Sequence, residues 1–390
     1  MVNNKAQQLA DVGLNSAIEL GKRKFHIQTS TVLEEGKIVS EVFEKGRLLF
    51  KEVYPYERRR RDDEKLMEKR INSALESFHS AILEELEALF QIAHQLENVQ
   101  DRIAHERLGF VFLNLHIFDK AEYHLQRALE LEPHHYSSSV YLAKCYYLQK
   151  KYQKALSVLN RYLKEKVPYA DFYHILGLVL LERNKFLAAL QYFKQAIVLN
   201  PQYLEAHINI VRTLLRRIQF LKLQDQQSDI KRNLDFLKAT LKKIMALNPH
   251  NEDEFVKKLL HYLKKDRINQ AEDYATQYWE KHYLKKEPPE LVPHLFYLFL
   301  KYYEEEMSLE LLERFEDRIQ QILEVNPDFP DLWNYYGLLN IMLCRYYFFE
   351  GKQDIHRALE INPDYRKARS NFRVLENDSR EFALLIQKIG

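Results

Sequence analysis

Leu108, Gly109, Phe112, Ala121, Leu125, Ala128 and Pro133 recur further along the chain, in the same order and at the same spacing, as Leu176, Gly177, Leu180, Ala189, Phe193, Ala196 and Pro201. A third copy, Leu142, Ala143, Tyr146, Ala155, Leu159 and Tyr162, lies midway, with its proline one place late at Pro168. The period, the step from Leu108 to Leu142 and again to Leu176, is about 34 residues, which restricts the chain to one helical unit stacked many times. Such a unit is too short to enclose a core, so each must bury its apolar face against the next.

Within a unit the spacing has a physical reading. Leu108, Gly109 and Phe112 share one helical face, and Gly109 is small enough to let a partner helix approach. After a short loop at Asp119 and Lys120, Ala121, Leu125 and Ala128 recur at helical spacing on a second helix. Pro133 then closes the unit, because proline cannot continue a helix. This pattern resembles the tetratricopeptide repeat over roughly residues 102–375, most closely at 102–203 and 332–365, and not in the first hundred residues. The fold class expected is mainly α, a right-handed α-solenoid of helix-turn-helix repeats. The resemblance implies a non-enzymatic scaffold that grips a peptide segment or helix in a concave surface lined by the first helix of each pair. It implies how the chain binds, and leaves the partner open.

Composition removes several alternatives. With 9 Gly, 11 Pro and 29% charged residues, the chain reads as ordered and largely helical. Its 25 Tyr and 22 Phe suit gaps between stacked helices. A net charge of +2 gives no general field for polyanions. Cys145 and Cys344 each sit inside an apolar helical pattern, which argues for a reducing compartment and against a disulfide framework or zinc site. Met1 to Leu20 lacks an uninterrupted apolar core, and no run is long enough for a bilayer, so a cytoplasmic protein without membrane insertion is expected.

Along the chain, residues 1–57 read as a short helix at 4–20, carried by Ala6, Leu9, Ala10, Gly13, Ala17 and Leu20, followed by a three-stranded antiparallel β-meander. Its strands are the alternating Phe25–Leu33, then Ile38–Phe43 and Leu48–Tyr54, punctuated by Glu35-Gly36 and Lys45-Gly46. Residues 62–100 read as a long amphipathic helix, with Ile71, Leu75, Phe78, Ile82, Leu86, Leu89, Ala93 and Leu96 as its stripe. Residues 102–251 hold the regular units and a fourth that is stretched around Gln219–Arg232, where longer helices are expected. Residues 252–377 are degenerate units ending in a capping helix, irregular near Pro288, Pro289 and Pro293. Within them, Trp333, Tyr336, Gly337, Ala358 and Pro363 restore a clear helix-pair copy with two residues inserted. Residues 378–390 read as a short helix or tail.

Helical spacing assigns the groove to Arg107, Phe110, Leu113 and Asn114, then Val140, Tyr141, Lys144 and Tyr147. The third unit offers His174, Leu178, Leu181 and Glu182, and the fourth Ile208, Asn209, Arg212 and Arg216. Phe110, Val140, Leu178 and Ile208 would make this surface apolar, suited to an apolar or amphipathic helical segment of a protein or peptide partner rather than to a terminal carboxylate. An open groove is one outcome. A groove filled in cis, by the helix at 62–99 or by the segment around Phe382 and Leu385, is the other.

No catalytic signature is present: there is no phosphate loop, no HExxH, no cysteine pair at ligand spacing and no serine elbow, and no cofactor or metal is expected. His134-His135 reads as a solvated loop pair. The leading reading is an adaptor whose N-terminal sheet and long helix supply a second interface or a homodimer contact. The alternative is a nucleic-acid-binding regulator using Arg58–Arg61 with Arg212, Arg216 and Arg217, although Asp62, Asp63 and Glu64 cancel much of the first cluster's field. A third reading takes the sheet as an enzyme or small-molecule sensor built on His26 and Gln28, against the small size of any pocket there.

Overall fold

The structure, a computed structural model, describes residues 11–56, 64–165, 167–248, 253–284 and 287–375. The chain forms two compact units, one of Met1–Val99 with Pro289–Gly390 and one of Gln100–Pro288. In chain order the first unit begins with strands β1 (Gly13–Leu20), β2 (Arg23–Val32), β3 (Lys37–Glu44) and β4 (Arg47–Pro55), then helix α1 (Glu64–Gln95). The second unit holds α2 (Arg102–Asn114), α3 (Phe118–Leu131), α4 (Tyr136–Leu148), α5 (Tyr152–Asn160), α6 (Ala170–Glu182) and α7 (Phe186–Leu199). It continues through α8 (Leu204–Leu223), α9 (Gln227–Leu247), α10 (Asp253–Lys264) and α11 (Ile268–Trp279). The chain then returns to the first unit with α12 (Leu291–Tyr302), α13 (Leu309–Val325), α14 (Pro330–Ile361) and a helical stretch at 366–375.

The sheet has four strands in the order β1-β2-β3-β4, all neighbours antiparallel, which corrects the expected three. Residues 13–20 are strand rather than helix, with Gly13 opposite Ser30 and Leu20 opposite Arg23; residues 4–10 lie outside the described residues. Gly21, at φ +65°, closes the β1-β2 hairpin instead of stopping a helix. On β2 the alternation holds: Phe25, Ile27, Thr29 and Thr31 are buried, while His26 and Gln28 are exposed.

Helix α1 covers this sheet with the stripe read from sequence, every member from Ile71 to Leu96 being buried. His79 fixes its register. One ring nitrogen bonds Ser16 on β1 and the other Thr29 on β2, each at 2.8 Å, and Thr29 passes the chain to Ser40 on β3 at 2.9 Å. A second anchor is charged. The guanidinium of Arg314 on α13 donates two 2.7 Å bonds to Glu52 on β4 and lies 3.0 Å from Glu85 on α1, with Arg318 3.3 Å from the same Glu85.

The second unit is built from helix pairs. The first helix of each pair ends at a residue with positive φ: His116, Lys150, Asn184, Asp225 and Asp266, between 52° and 59°. Gly109 and Gly177 are needed where the pair closes, since a Cβ there would come within 2.6 Å of Leu125 and of Phe193 respectively. Helices α8 and α9, of 20 and 21 residues, take up the stretched fourth unit with only the turn at 224–226 between them.

The C-terminal copy departs from the expected helix pair. Trp333, Gly337, Gly351 and Ala358 all lie on one continuous 32-residue helix, α14. Residues 345–350, Arg-Tyr-Tyr-Phe-Phe-Glu, contain no residue favouring the left-handed conformation that turns the other pairs.

Candidate functional site

Four residues on α8, Glu205, Asn209, Arg212 and Arg216, step along one face at helical spacing. Helix α11 lies on that face and answers it with Glu272, Thr276 and Trp279. Trp279 is 1% exposed and is the central contact. Its indole N–H donates to Glu205 at 3.1 Å, its ring stands 4.0 Å from the Arg212 guanidinium, and Tyr147 of α4 meets it edge-on at 6.5 Å. A cation held against an aromatic face in a dry site is worth about 2 kcal/mol.

Around this ring the polar groups form a closed network. Arg212 donates to Thr276 at 3.3 Å and to the Asn209 side-chain oxygen at 2.6 Å, and lies 3.8 Å from Glu182. That bond orients the Asn209 amide, whose NH2 then donates to His174 Nε2 at 2.9 Å. His174 Nδ1 therefore carries the proton and gives it to the Tyr203 oxygen at 3.2 Å, while Tyr203 donates to Asp171 at 2.6 Å. Burial pushes the His174 pKa below the ordinary histidine value, which agrees with a neutral ring, and Glu205 and Asp171 only partly oppose it. Arg216 completes the set with Glu272 at 2.8 Å and Glu182 at 3.1 Å. Burial likewise depresses Arg212; at Arg216 burial pulls the same way, but its hydrogen bonds to Glu272 and Glu182 outweigh it and raise the pKa.

The structure gathers six of the sequence-assigned residues here: Tyr147, His174, Glu182, Asn209, Arg212 and Arg216. The others divide. Leu113, Val140, Leu178, Leu181 and Ile208 are buried, the last four within the hydrophobic core shared by α4 to α11, so the apolar lining expected of an open groove is interior packing. First helices pack on several neighbours at once, which leaves little of their circumference outward. Phe110 is buried with its ring 4.7 Å from Tyr141. Asn114 donates to the Phe110 carbonyl at 2.8 Å, and Arg107, Tyr141 and Lys144 are half-buried.

Helix α11 holds this part of the face; of the cis candidates read from sequence, the segment around Phe382 and Leu385 lies outside the described residues. Spacing on α11 picks out Ala271 and Ala275 as packing residues, and Glu272, Thr276 and Trp279 follow at steps of four and three beside that stripe. A tryptophan closing a short amphipathic helix was the available signal. Two of the arginines in the nucleic-acid alternative, Arg212 and Arg216, are engaged with carboxylates here, while Arg58–Arg61 lie outside the described residues.

His135 is 2.7 Å from Glu106. Among the described residues no group of three or more His, Cys, Asp or Glu could hold a metal ion, and no helix is long and apolar enough to cross a membrane.

Residues 114–196 match the family model of the anaphase-promoting complex, cyclosome, subunit 3. No curated protein matches the chain. Among solved structures, YrrB, described as a tetratricopeptide repeat protein with an unusual peptide-binding site, is similar at 14% identity over 62% of this chain and 95% of its own, with a TM-score of 0.33. A tetratricopeptide repeat protein from Parabacteroides merdae is similar at 15% identity over 71% of this chain and 100% of its own, with a TM-score of 0.34. A chain of the APC/C hetero-tetramer Cut9-Hcn1 gives 12% identity, 78% and 59% coverage, and a TM-score of 0.30.

Proposed function

We propose that this chain, a tetratricopeptide repeat protein, is a non-enzymatic protein-interaction scaffold whose first-helix face takes an amphipathic helix, with α11 as its resident occupant. The observation that supports this is Trp279, seated between Tyr147, Glu205 and Arg212 as the anchor residue of a bound helix would be. A partner helix carrying an aromatic anchor, with an acceptor for Arg212 and a carboxylate for Arg216, competes with α11 for the same face. Tethering makes α11 a strong competitor, because a linked segment acts at an effective concentration in the millimolar range. The scaffold is accordingly selective, and only helices that displace α11 are accepted.

A labelled peptide of residues 266–284 tests this by fluorescence anisotropy. Ala275 is fully buried on the packing face of α11, so Ala275→Glu combined with Trp279→Ala expels the resident helix. The expelled-helix variant is expected to bind the peptide at least tenfold more tightly than wild type does, and a Trp279→Ala peptide is expected not to bind. Equal binding by both proteins, or none by the variant, rejects the reading.

A further inference from the structure

Helix α14 carries the packing residues of a helix pair, with open space beside both of its glycines. In the intact pairs the glycine of the first helix faces a side chain of the second: Leu125 for Gly109 and Phe193 for Gly177, each 2.6 Å from where a Cβ would be. Gly337 holds the same repeat position, between Trp333 and Ala358, yet a Cβ there would meet nothing within 4 Å. The same is true of Gly351, which stands where Ala121 and Ala189 begin the second helix of their pairs. The turn is missing as well. His116, Lys150 and Asn184 come seven places after Gly109, Ala143 and Gly177 and reverse the chain at φ near +58°, whereas Cys344, seven after Gly337, lies inside α14.

One side of the first half is satisfied. Leu332, Leu339 and Leu343 are buried, and Tyr335 meets Phe296 of α12 at 5.8 Å. The remaining side, Trp333, Gly337, Asn340 and Cys344, steps by three and four, with Trp333 at 52% exposure. At 1.5 Å per residue α14 is about 48 Å long, so its second half cannot fold onto its first while the helix is straight.

We infer that a second copy of this chain covers this face, the two α14 helices exchanging halves so that residues 351–361 of each pack on residues 333–344 of the other. The choice of occupant follows from complementarity. One helix carries both halves of a repeat-type pair, neither of its glycines faced by a side chain, and a two-fold arrangement of two copies joins every half to its complement. With the two inserted residues counted, Ile355 of one copy covers Gly337 of the other, as Leu125 covers Gly109. The exchange uses α14 alone and none of the α8 residues that hold α11.

Multi-angle light scattering of the full chain in reducing buffer tests the exchange. Wild type is expected at twice the chain mass, and Cys344→Ser is expected to remain dimeric. Gly337→Leu adds a side chain where the single copy has open space, and removes a glycine that costs up to about 1 kcal/mol in a helix. It should therefore melt no lower than a wild-type monomer while associating at least 100-fold more weakly, and Gly351→Leu, on the other half, should do the same. A wild-type chain that stays monomeric, including one whose halves fold back in cis, overturns the inference, as does a dimer that survives both substitutions.

Discussion

Trp279→Ala is expected to destabilise the Gln100–Pro288 unit by about 3–5 kcal/mol, the cost of deleting a large buried aromatic. The ring is almost wholly buried, and its removal leaves a void against Tyr147 and takes the aromatic face away from Arg212, which is itself 1% exposed. Glu205 also loses the indole donor. Because these contacts hold α11 to α8, the same substitution should raise amide hydrogen exchange along residues 268–279 well before the α2–α7 helices open. Leu223→Ala is the internal control. Its side chain is 87% exposed, so its loss should cost less than about 1 kcal/mol. Denaturant titrations in which the two variants lose equal stability would show that Trp279 is not seated as described.

Arg314→Met is expected to cost a similar 3–5 kcal/mol, roughly, at neutral pH in the other unit, since it strands buried carboxylates rather than replacing the whole pair. Arg314 is 6% exposed and serves Glu52 and Glu85 together, leaving only Arg318 beside Glu85 when it is removed. The effect carries a pH signature. In wild type, burial alone would raise the Glu52 pKa, but Arg314 and Arg318 override it and hold the carboxyl below its usual value. A depressed folded-state pKa adds stability above the unfolded value of about 4.3, and that stability is lost as pH falls through the folded pKa. Without Arg314 the burial effect dominates and the folded pKa rises, so stability should now fall as pH climbs above about 4.3. Urea midpoints should therefore stay nearly constant between pH 5 and pH 7 for wild type, while that of Arg314→Met falls over the same range. Adding Glu52→Gln to Arg314→Met should recover much of the loss at pH 7. A pH response parallel to wild type contradicts the role given to this cluster.

How much of this was legible in sequence depended on whether local spacing or distant contact decides each element. The stripe from Ile71 to Leu96 and the glycines at 109 and 177 were readable because helical period and close approach are written in neighbouring residues. Strand β1 was not. Ala10, Gly13, Ala17 and Leu20 satisfy a helical spacing, and only pairing with the edge of β2 makes 13–20 a strand. At α14 the repeat residues encode what a helix packs on, and the turn chemistry needed to bend it is absent. The apolar groove was a misassignment of phase: Leu178 and Ile208 stand next to the packing positions and are drawn into the core, while Asn209, Arg212 and Arg216 face α11. Recognising α11 as the occupant required the pairing of Arg216 with Glu272, 56 residues away, which no local pattern reports.

The central claim, that the first-helix face holds α11 through Trp279, can be read optically because the chain has two tryptophans. Trp333→Phe leaves Trp279 as the sole indole. Its emission is predicted to be blue-shifted and nearly resistant to acrylamide, reverting to the free-indole wavelength and full quenching when Ala275→Glu is added. Emission and quenching like free tryptophan in the Trp333→Phe protein would contradict the account.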